Sequence, residues 1–296
     1  MRSFRYERAA DPAGAARAGA VPGTAFLAGG TTLLDLMKID VLRPDRLIDI
    51  GPLGAAFGEA VRAGPDGGLR LSALASMAAV ADHPAVRDGF PVVAQSLALA
   101  ASAQLRNMAT LGGNVLQRTR CHYFRDVSEP CNKREPGTGC GAIGGNNRLL
   151  AVLGTSEHCI ASYPGDFAQA LVALDAAVET AGPDGARRFP FAELHREPGD
   201  APERETALRP GEIIAAFHLP ALPWARRSLY LKVRDRESYA FALASAAVAL
   251  DLGADGAVRD ARIALGGVAT RPWRAGAAED ALRGRLPDEN AARDAA

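Results

Sequence analysis

The sequence contains few cysteines, few lysines and no excess of charge of either sign. Its 296 residues include 4 cysteines and 2 tryptophans, and only three of its 34 basic residues are lysines. The formal net charge of 0 gives no electrostatic reason to expect a nucleic acid or an anionic membrane as a partner. No apolar run is long enough for a membrane span or a signal peptide, so we expect no membrane segment and no export signal.

Several common cofactor and metal motifs are also absent. No lysine follows a glycine, which excludes a Walker A loop, and the five histidines are dispersed without an HExxH pair. No GxGxxG motif opens a helix after a strand, which argues against a Rossmann nucleotide site. What remains is a chain with 48% hydrophobic residues, as expected for a globular protein of two or three compact units.

The four cysteines, Cys121, Cys131, Cys140 and Cys159, all lie in one stretch, and the long segments on either side contain no other thiol. Such a set can bind an iron–sulfur cluster or a structural zinc ion, or form two disulfides. Because we expect a reducing compartment, disulfides are the least favoured use. The gaps of nine, eight and eighteen residues contain no CxxC pair, so the spacing indicates a metal centre without identifying the metal.

The residues around Cys140 bear on which metal centre the cysteines bind. Glycines concentrated between residues 137 and 145 permit backbone angles that aim N–H groups at cluster sulfurs. Lys133 and Arg134 add positive charge beside what would be an anionic cluster. The alternative is a glycine-rich surface loop whose cysteines are free or bind zinc.

Two glycine turns are the second feature that points to a cofactor. Gly29, Gly30 and Thr31 stand between a predicted strand and a predicted helix, where a row of backbone N–H groups and a hydroxyl suits a phosphate. The alternative is an ordinary strand–turn–helix joint. A second turn over residues 109–114 again offers a hydroxyl, backbone N–H groups and a side-chain amide. Together the turns indicate a dinucleotide whose pyrophosphate lies between them, close to the cysteine stretch.

The rest of the chain mixes strands and helices. Breaks near Gly51-Pro52 and Pro220–Trp224 divide it into residues 1–52, 53–222 and 223–296, with the cysteine stretch as an insertion at about 118–160. Periodicity predicts strands over residues 25–28, 46–50, 58–63, 69–72, 176–181, 212–219, 229–234, 242–251 and 258–266, and helices over 32–38, 74–81, 91–103, 167–174 and 277–283.

Five segments then carry a resemblance to a known family. They are AGGTTLLDLMK, QLRNMATLGGNV, SYPGDFAQALVALDA, YLKVRDRESYAFALASAAVAL and IALGGVATRPWRA, in that order along nearly the whole chain. They resemble the FAD-binding medium subunit of the molybdenum hydroxylases, the family of xanthine dehydrogenase, aldehyde oxidoreductase and carbon monoxide dehydrogenase. The cysteine insertion is similar to that of the bacterial aldehyde oxidoreductase branch, whose flavin subunit carries an extra [4Fe–4S] cluster.

The resemblance implies an α+β fold and a set of site residues. A two-part FAD-binding domain of the vanillyl-alcohol oxidase and CO dehydrogenase flavoprotein type is expected, followed by a C-terminal α+β domain. Tyr239 is expected to shield the flavin or to lie in the core. The implied FAD-binding residues are Phe26, Leu27, Ala28, Gly29, Gly30, Thr31, Thr32, Leu33, Thr110, Leu111, Gly112, Gly113, Asn114, Asp166 (to a sugar hydroxyl), Ile214 (on the isoalloxazine) and Lys232 (near the flavin ring), and the implied metal ligands are Cys121, Cys131, Cys140 and Cys159.

The resemblance also implies a role and partners. An electron-transfer subunit would pass electrons from the molybdenum and [2Fe–2S] centres of its partners through FAD to an external acceptor. The partners would be a large molybdopterin-binding subunit and a small [2Fe–2S] subunit in a heterotrimer, in the cytoplasm or exported to the periplasm on a partner's signal. Family members usually continue beyond the helix near Ala277 with another helix and strand, so we expect the last element to be short or missing. The alternatives are a zinc-stapled nucleotide-binding module and a stand-alone flavin oxidase.

Overall fold

The structure, a computed structural model, describes residues 1–296 and begins with a small parallel α/β unit. Its three strands, β1 (Arg5–Arg8), β2 (Thr24–Leu27) and β3 (Arg46–Asp49), form a sheet in the order β1-β3-β2. Helices α1 (Pro12–Gly19) and α2 (Leu33–Lys38) connect them. Because parallel strands all run in one direction, every loop that leaves a strand lies at the carboxyl end of the sheet. The loop from β2 to α2 is one of these loops.

The middle of the chain forms a five-stranded antiparallel sheet covered by short helices. After a 3-10 helix over Gly51–Phe57, the sheet has the order β4-β5-β8-β6-β7. The first hairpin turns at Pro65-Asp66-Gly67-Gly68, where the Asp66 side chain accepts from Gly68 N. The elements are β4 (Val61–Ala63), β5 (Leu69–Ser72), α3 (Met77–Ala81), α4 (Pro84–Gly89), α5 (Pro91–Ala98), α6 (Ala103–Met108), α7 (Leu111–Val115), α8 (His122–Arg125), α9 (Phe167–Ala173), β6 (Ala177–Gly182), β7 (Gly185–Pro190) and β8 (Ile213–Leu219).

A second antiparallel sheet follows, in the order β12-β11-β10-β9. Its inner face packs on α5 and α9, so these helices lie between two sheets and share one hydrophobic core with both. Strand β9 is an edge strand whose outward-facing Leu229, Leu231 and Val233 are exposed, while Tyr230 and Lys232 point inward. The elements are β9 (Ser228–Val233), β10 (Ala244–Leu252), β11 (Val258–Gly266), β12 (Trp273–Arg274), α10 (Gly276–Leu282) and α11 (Glu289–Ala295).

The predicted α+β class is confirmed, but two predicted helices are too long. The helix predicted over residues 74–81 begins at Met77, because Ser76 caps it by accepting from Ala79 N. The helix predicted over residues 91–103 ends at Ala98, because Ala101 takes a left-handed backbone angle (φ 48°) and Ser102 caps a new helix by accepting from Leu105 N. Six helices and three strands were not predicted: α1, α4, α6, α7, α8, α11, β1, β7 and β12. No helix in the structure combines the length and apolarity that a bilayer crossing requires.

Candidate functional site

A cavity of about 220 Å³ lies where the N-terminal unit meets the five-stranded sheet. Its wall is formed by the loop from β2 to α2, the first turn of α7 and the first residues of β8. Both glycine turns therefore line the same cavity, as the sequence predicts. The predicted residues that line it are Phe26, Ala28, Gly29, Gly30, Thr31, Thr32, Leu33, Thr110, Gly112, Gly113 and Ile214.

The first turn is packed backbone against backbone on the second. Gly30 has a left-handed backbone angle (φ 73°), which glycine adopts without strain. A Cβ atom on Gly29 would lie 2.0 Å from the carbonyl oxygen of Met108, so only glycine permits this approach. Met108 ends α6 and directly precedes the second turn. The two turns thus touch each other, and their contact fixes one end of the cavity.

The second turn is a short helix rather than an open turn. Thr110 caps α7 with its Oγ1, which accepts from Gly113 N at 3.1 Å. Backbone bonds from Leu111 N and Gly112 N to the 73–75 segment hold it on the sheet. Asn114 carries a buried side-chain oxygen that has no hydrogen-bond partner. Asn114 itself does not line the cavity, so this atom lies beside the second turn and not in the cavity wall.

Five predicted FAD-binding residues do not line the cavity: Leu27, Leu111, Asn114, Asp166 and Lys232. The last two pair with each other instead. Lys232 Nζ lies 2.7 Å from Asp166 Oδ2, and the two side chains are 1% and 4% exposed. Burial raises the pKa of the Asp166 carboxyl, against the opposing effect of the Lys232 charge.

Two predicted positions thus form a buried ion pair that joins the start of α9 to β9 in the second sheet. Tyr230 adds to this joint, because its hydroxyl donates to Asp166 Oδ1 at 2.8 Å. Tyr239, in contrast, is 58% exposed, so the alternative that placed it in the core is wrong.

The cavity also contains residues that the sequence did not single out. Glu212 and Arg118 supply one charge of each sign. Burial alone would raise the pKa of Glu212, but hydrogen bonds from Arg187 and from Arg209 N outweigh it and lower the pKa. A carboxylate directly before a buried strand was the available signal for Glu212. The missed apolar residues are Leu36, Leu42, Ile50, Leu74, Leu116 and Ile213.

The four cysteines come together in one small core next to this cavity. Cys121, Cys131 and Cys159 are buried and Cys140 is half-buried, and the backbones of Cys131 and Cys140 pair in an isolated antiparallel bridge. Leu36 belongs to the core of the cysteines and also lines the cavity. Leu42, which packs against the same core, lines the cavity as well, so the cysteine core and the cavity share a wall.

The thiols are not arranged around a single point. No three histidine, cysteine, aspartate or glutamate side chains of the chain are grouped so as to hold one metal ion. Burial raises the pKa values of the Cys121 and Cys159 thiols. A zinc ion requires ligand atoms within about 2.3 Å of one centre, which this arrangement does not provide. The expected iron–sulfur cluster therefore stays a prediction.

Two groups of ion pairs attach the cysteine segment to the cavity. Asp35, on the helix that follows the first glycine turn, accepts two bonds from Arg125 at 2.8 and 3.0 Å and one from Arg120 at 3.2 Å. These arginines keep the pKa of Asp35 below its usual range. On the other side, Glu205 pairs with Arg118 at 2.5 Å and with Lys133 at 3.0 Å.

Comparison with known families agrees with this geometry. Residues 2–222 match the family model described as the FAD binding domain in molybdopterin dehydrogenase. Residues 229–296 match the CO dehydrogenase flavoprotein C-terminal domain. The two matches cover both the glycine turns and the second sheet.

Individual proteins similar to this chain are FAD-binding or medium subunits of enzymes. The chain is 49% identical over 284 residues to the aldehyde oxidoreductase FAD-binding subunit PaoB of Escherichia coli (strain K12), covering 95% of this chain and 86% of that protein. It is 27% identical over 265 residues to the carbon monoxide dehydrogenase medium chain of Afipia carboxidovorans, covering 90% of this chain and 74% of that protein. It is 26% identical over 266 residues to the nicotine 6-hydroxylase medium subunit of Paenarthrobacter nicotinovorans, covering 88% and 72%.

Solved structures show the same fold. A reconstituted CO dehydrogenase from Oligotropha carboxidovorans superposes with a TM-score of 0.75 at 24% identity, over 99% of this chain and 85% of that chain. Quinoline 2-oxidoreductase from Pseudomonas putida 86 gives a TM-score of 0.73 at 22% identity, over 100% and 85%. The chain therefore belongs to the FAD-binding medium subunits of the molybdenum hydroxylases, a family of oxidoreductases.

Proposed function

We propose that this chain binds FAD in the glycine-lined cavity and acts as the electron-transfer subunit of a molybdenum-dependent aldehyde oxidoreductase. The observation that carries the proposal is the contact between the two glycine turns on one cavity wall. Identity of 49% to an aldehyde oxidoreductase FAD-binding subunit supports the substrate class. Bound FAD supplies the capacity to accept electrons and pass them on.

The residues of the cavity fit a dinucleotide. Gly29, Gly30, Gly112 and Gly113 bring backbone close to the bound group without side chains in the way, as a pyrophosphate requires. Thr31 and Thr32 add hydroxyl groups to the cavity wall for polar parts of the ligand. At about 220 Å³ the cavity is smaller than a typical small-molecule site of about 300–1,000 Å³, so it would take only part of a dinucleotide.

The remaining FAD-binding residues of the proposal lie outside this cavity. Leu27 and Leu111 directly support the two turns. Asp166 and Lys232 form the buried pair between α9 and β9, and we propose that this pair faces the flavin part of the cofactor. The proposed division of the chain is residues 1–52 and 53–222 for the FAD-binding domain, followed by residues 223–296.

For the cysteines we propose a [4Fe–4S] cluster held by Cys121, Cys131, Cys140 and Cys159. Their collection in one core supports a shared metal centre. A [4Fe–4S] cluster takes four thiolates on separate irons, so its ligands need not converge on one point as zinc ligands do. The zinc-stapled alternative is distinguished from this cluster by the metal and sulfide content of the purified chain.

The proposed partners are a large molybdopterin-binding subunit and a small [2Fe–2S] subunit. Similarity to medium chains and medium subunits supports membership of a multi-subunit enzyme. In such an assembly this chain would receive electrons and hand them to an external acceptor. No side chain of the cavity needs to act as an acid or base in that role.

The test is anaerobic purification of the chain from its native source, with its partners identified by mass spectrometry. We expect two co-purifying subunits, flavin bands above a broad iron–sulfur absorption, and four irons and four sulfides per chain in addition to those of the [2Fe–2S] partner. We also expect aldehydes to reduce the flavin only when the partners are present. A chain that purifies alone and oxidises a substrate by itself would contradict the subunit role, and zinc in place of iron would contradict the cluster.

A further inference from the structure

The carboxylate of Glu205 joins two cations that belong to different sites. Arg118 Nε lies 2.5 Å from Glu205 Oε2, and Lys133 Nζ lies 3.0 Å from Oε1. The three side chains are only 11–25% exposed, so solvent screens the network weakly. Burial alone would raise the pKa of Glu205, but the charges of Arg118 and Lys133 outweigh it and lower the pKa.

The first cation, Arg118, belongs to the cofactor cavity. Its side chain forms part of the cavity wall. Its guanidinium also lies over the ring of Phe124, 4.5 Å from the centroid. Phe124 is fully buried in the core of the cysteines, so Arg118 touches both sites at once.

The second cation, Lys133, belongs to the cysteine cluster. It follows Cys131 by two residues, and the side chain of the neighbouring Asn132 donates to the carbonyl oxygen of His158, next to Cys159, at 3.2 Å. Its ammonium group is further fixed by donation to the carbonyl oxygen of Pro202 at 3.0 Å. Glu205 therefore determines where this charge stands relative to the thiols.

We propose that Glu205 is a positioning residue shared by the two sites, which holds Arg118 at the cofactor cavity and Lys133 at the cysteine cluster. The inference rests on the proposed function, because it takes FAD and a metal-loaded cysteine cluster as the two occupants. An occupant of one site orders this shared network, so the second occupant meets side chains that are already ordered. Filling one site therefore strengthens binding at the other, and the effect is reciprocal.

The test compares side chains that differ in charge and in length at position 205. Glu205→Gln keeps the shape and removes the charge, while Glu205→Asp keeps the charge on a shorter side chain. The matched control is Glu203→Gln, because Glu203 is a neighbouring surface carboxylate whose pairing with Arg204 has a distance of 3.7 Å. The FAD dissociation constant is measured by flavin fluorescence, in the metal-loaded chain and after anaerobic removal of the metal with a chelator.

We expect the loaded wild-type chain and the Glu203→Gln control to bind FAD about 5-fold or more tightly than the stripped chain. In Glu205→Gln the ratio of the FAD dissociation constants of the stripped and the loaded chain falls to about 1, and Glu205→Asp recovers part of this ratio. Lys133→Met also removes the ratio, which provides a second route if Glu205→Gln folds poorly. A rigid but uncharged support would not distinguish Gln from Asp in this way.

Two results overturn the inference. One is a ratio in Glu205→Gln equal to that of the Glu203→Gln control, and the other is a wild-type ratio of about 1. A wild-type chain that binds FAD but contains no metal contradicts the proposed cluster instead. In that case the FAD dissociation constants of the metal-free variants decide the role of Glu205: weaker binding in Glu205→Gln than in Glu203→Gln supports it, and equal binding overturns it.

Discussion

The contact between the two glycine turns is tested by Gly29→Ala. The added Cβ would lie 2.0 Å from the carbonyl oxygen of Met108 and 2.8 Å from its carbonyl carbon. These are backbone atoms next to Ala109, whose own carbonyl accepts from Met77 N at 2.9 Å, so they cannot rotate aside. Ordinary contact begins at about 3.4 Å, so the turns must separate by about 1.4 Å.

The cost of this separation follows from the packing. Overpacking that forces the backbone to move costs about 1–3 kcal/mol, which lowers the melting temperature of a protein of this size by several degrees. Displacement by more than about 1 Å of one wall should weaken FAD binding by about 10-fold or more. Equilibrium titration with FAD and thermal unfolding measure the two effects separately.

The matched control is Gly54→Ala in the same N-terminal part of the chain. A Cβ at Gly54 has no heavy atom within 4 Å, so this variant should match or slightly exceed wild-type stability. If Gly29→Ala binds FAD as tightly as Gly54→Ala and melts at the same temperature, the contact between the two turns is not required for the cofactor site. A fall in stability without loss of FAD affinity would also contradict the reasoning.

Three further predictions concern buried charge. Lys232→Met leaves Asp166 buried without its partner and should cost about 3–5 kcal/mol in denaturant unfolding, most of which Asp166→Asn in the same chain should restore. Burial lowers the pKa of His195 from 6.5 to about 4, so the unfolded state binds more protons between these values and stability falls as the pH drops through that window; His195→Asn should flatten this slope in unfolding curves. Asp35→Asn weakens the bonds from Arg125, so limited proteolysis should cut the cysteine segment sooner.

Each of these predictions has a result that contradicts it. A double variant no more stable than Lys232→Met alone would show that the unpaired carboxylate is not the cause of the loss. An unchanged slope between about pH 6.5 and 4 in His195→Asn would assign the acid sensitivity to other groups. Equal cleavage rates in Asp35→Asn and the Glu203→Gln control would show that the arginine contacts do not order the segment.

The sequence predicts the elements whose pattern is local. Seven of the nine strands of the two antiparallel sheets lie close to their predicted positions, because alternating or continuous apolar residues bounded by glycine and proline define them. Helix α1 was missed because alanine is abundant throughout this sequence, which makes an alanine-rich segment weak evidence for a helix. Asp11 nevertheless caps this helix, and Pro12 is its first residue. Strand β7 was missed because its residues are mostly exposed and include two arginines, so its pairing with β6 is what makes it a strand.

The candidate site likewise has one part that the local sequence predicts and another part that only the fold brings together. The glycine turns carry their chemistry in consecutive residues, and the prediction that they share one cavity agrees with the structure. Arg118 and Glu205 are 87 positions apart, and only the fold brings them together. The pairing of Asp166 with Lys232 likewise depends on how the second sheet docks on α9, which no local pattern encodes. Which metal the cysteines bind was open from their spacing and is now a proposal.

The central claim is that the two touching glycine turns hold one FAD. Its most direct test is the amount of flavin released on denaturing the anaerobically purified full-length chain, identified and quantified by chromatography against FAD and FMN standards. The account predicts close to one FAD per wild-type chain and a clear loss in Gly29→Ala. A wild-type chain without FAD, or a Gly29→Ala chain that retains all of it, would contradict the account.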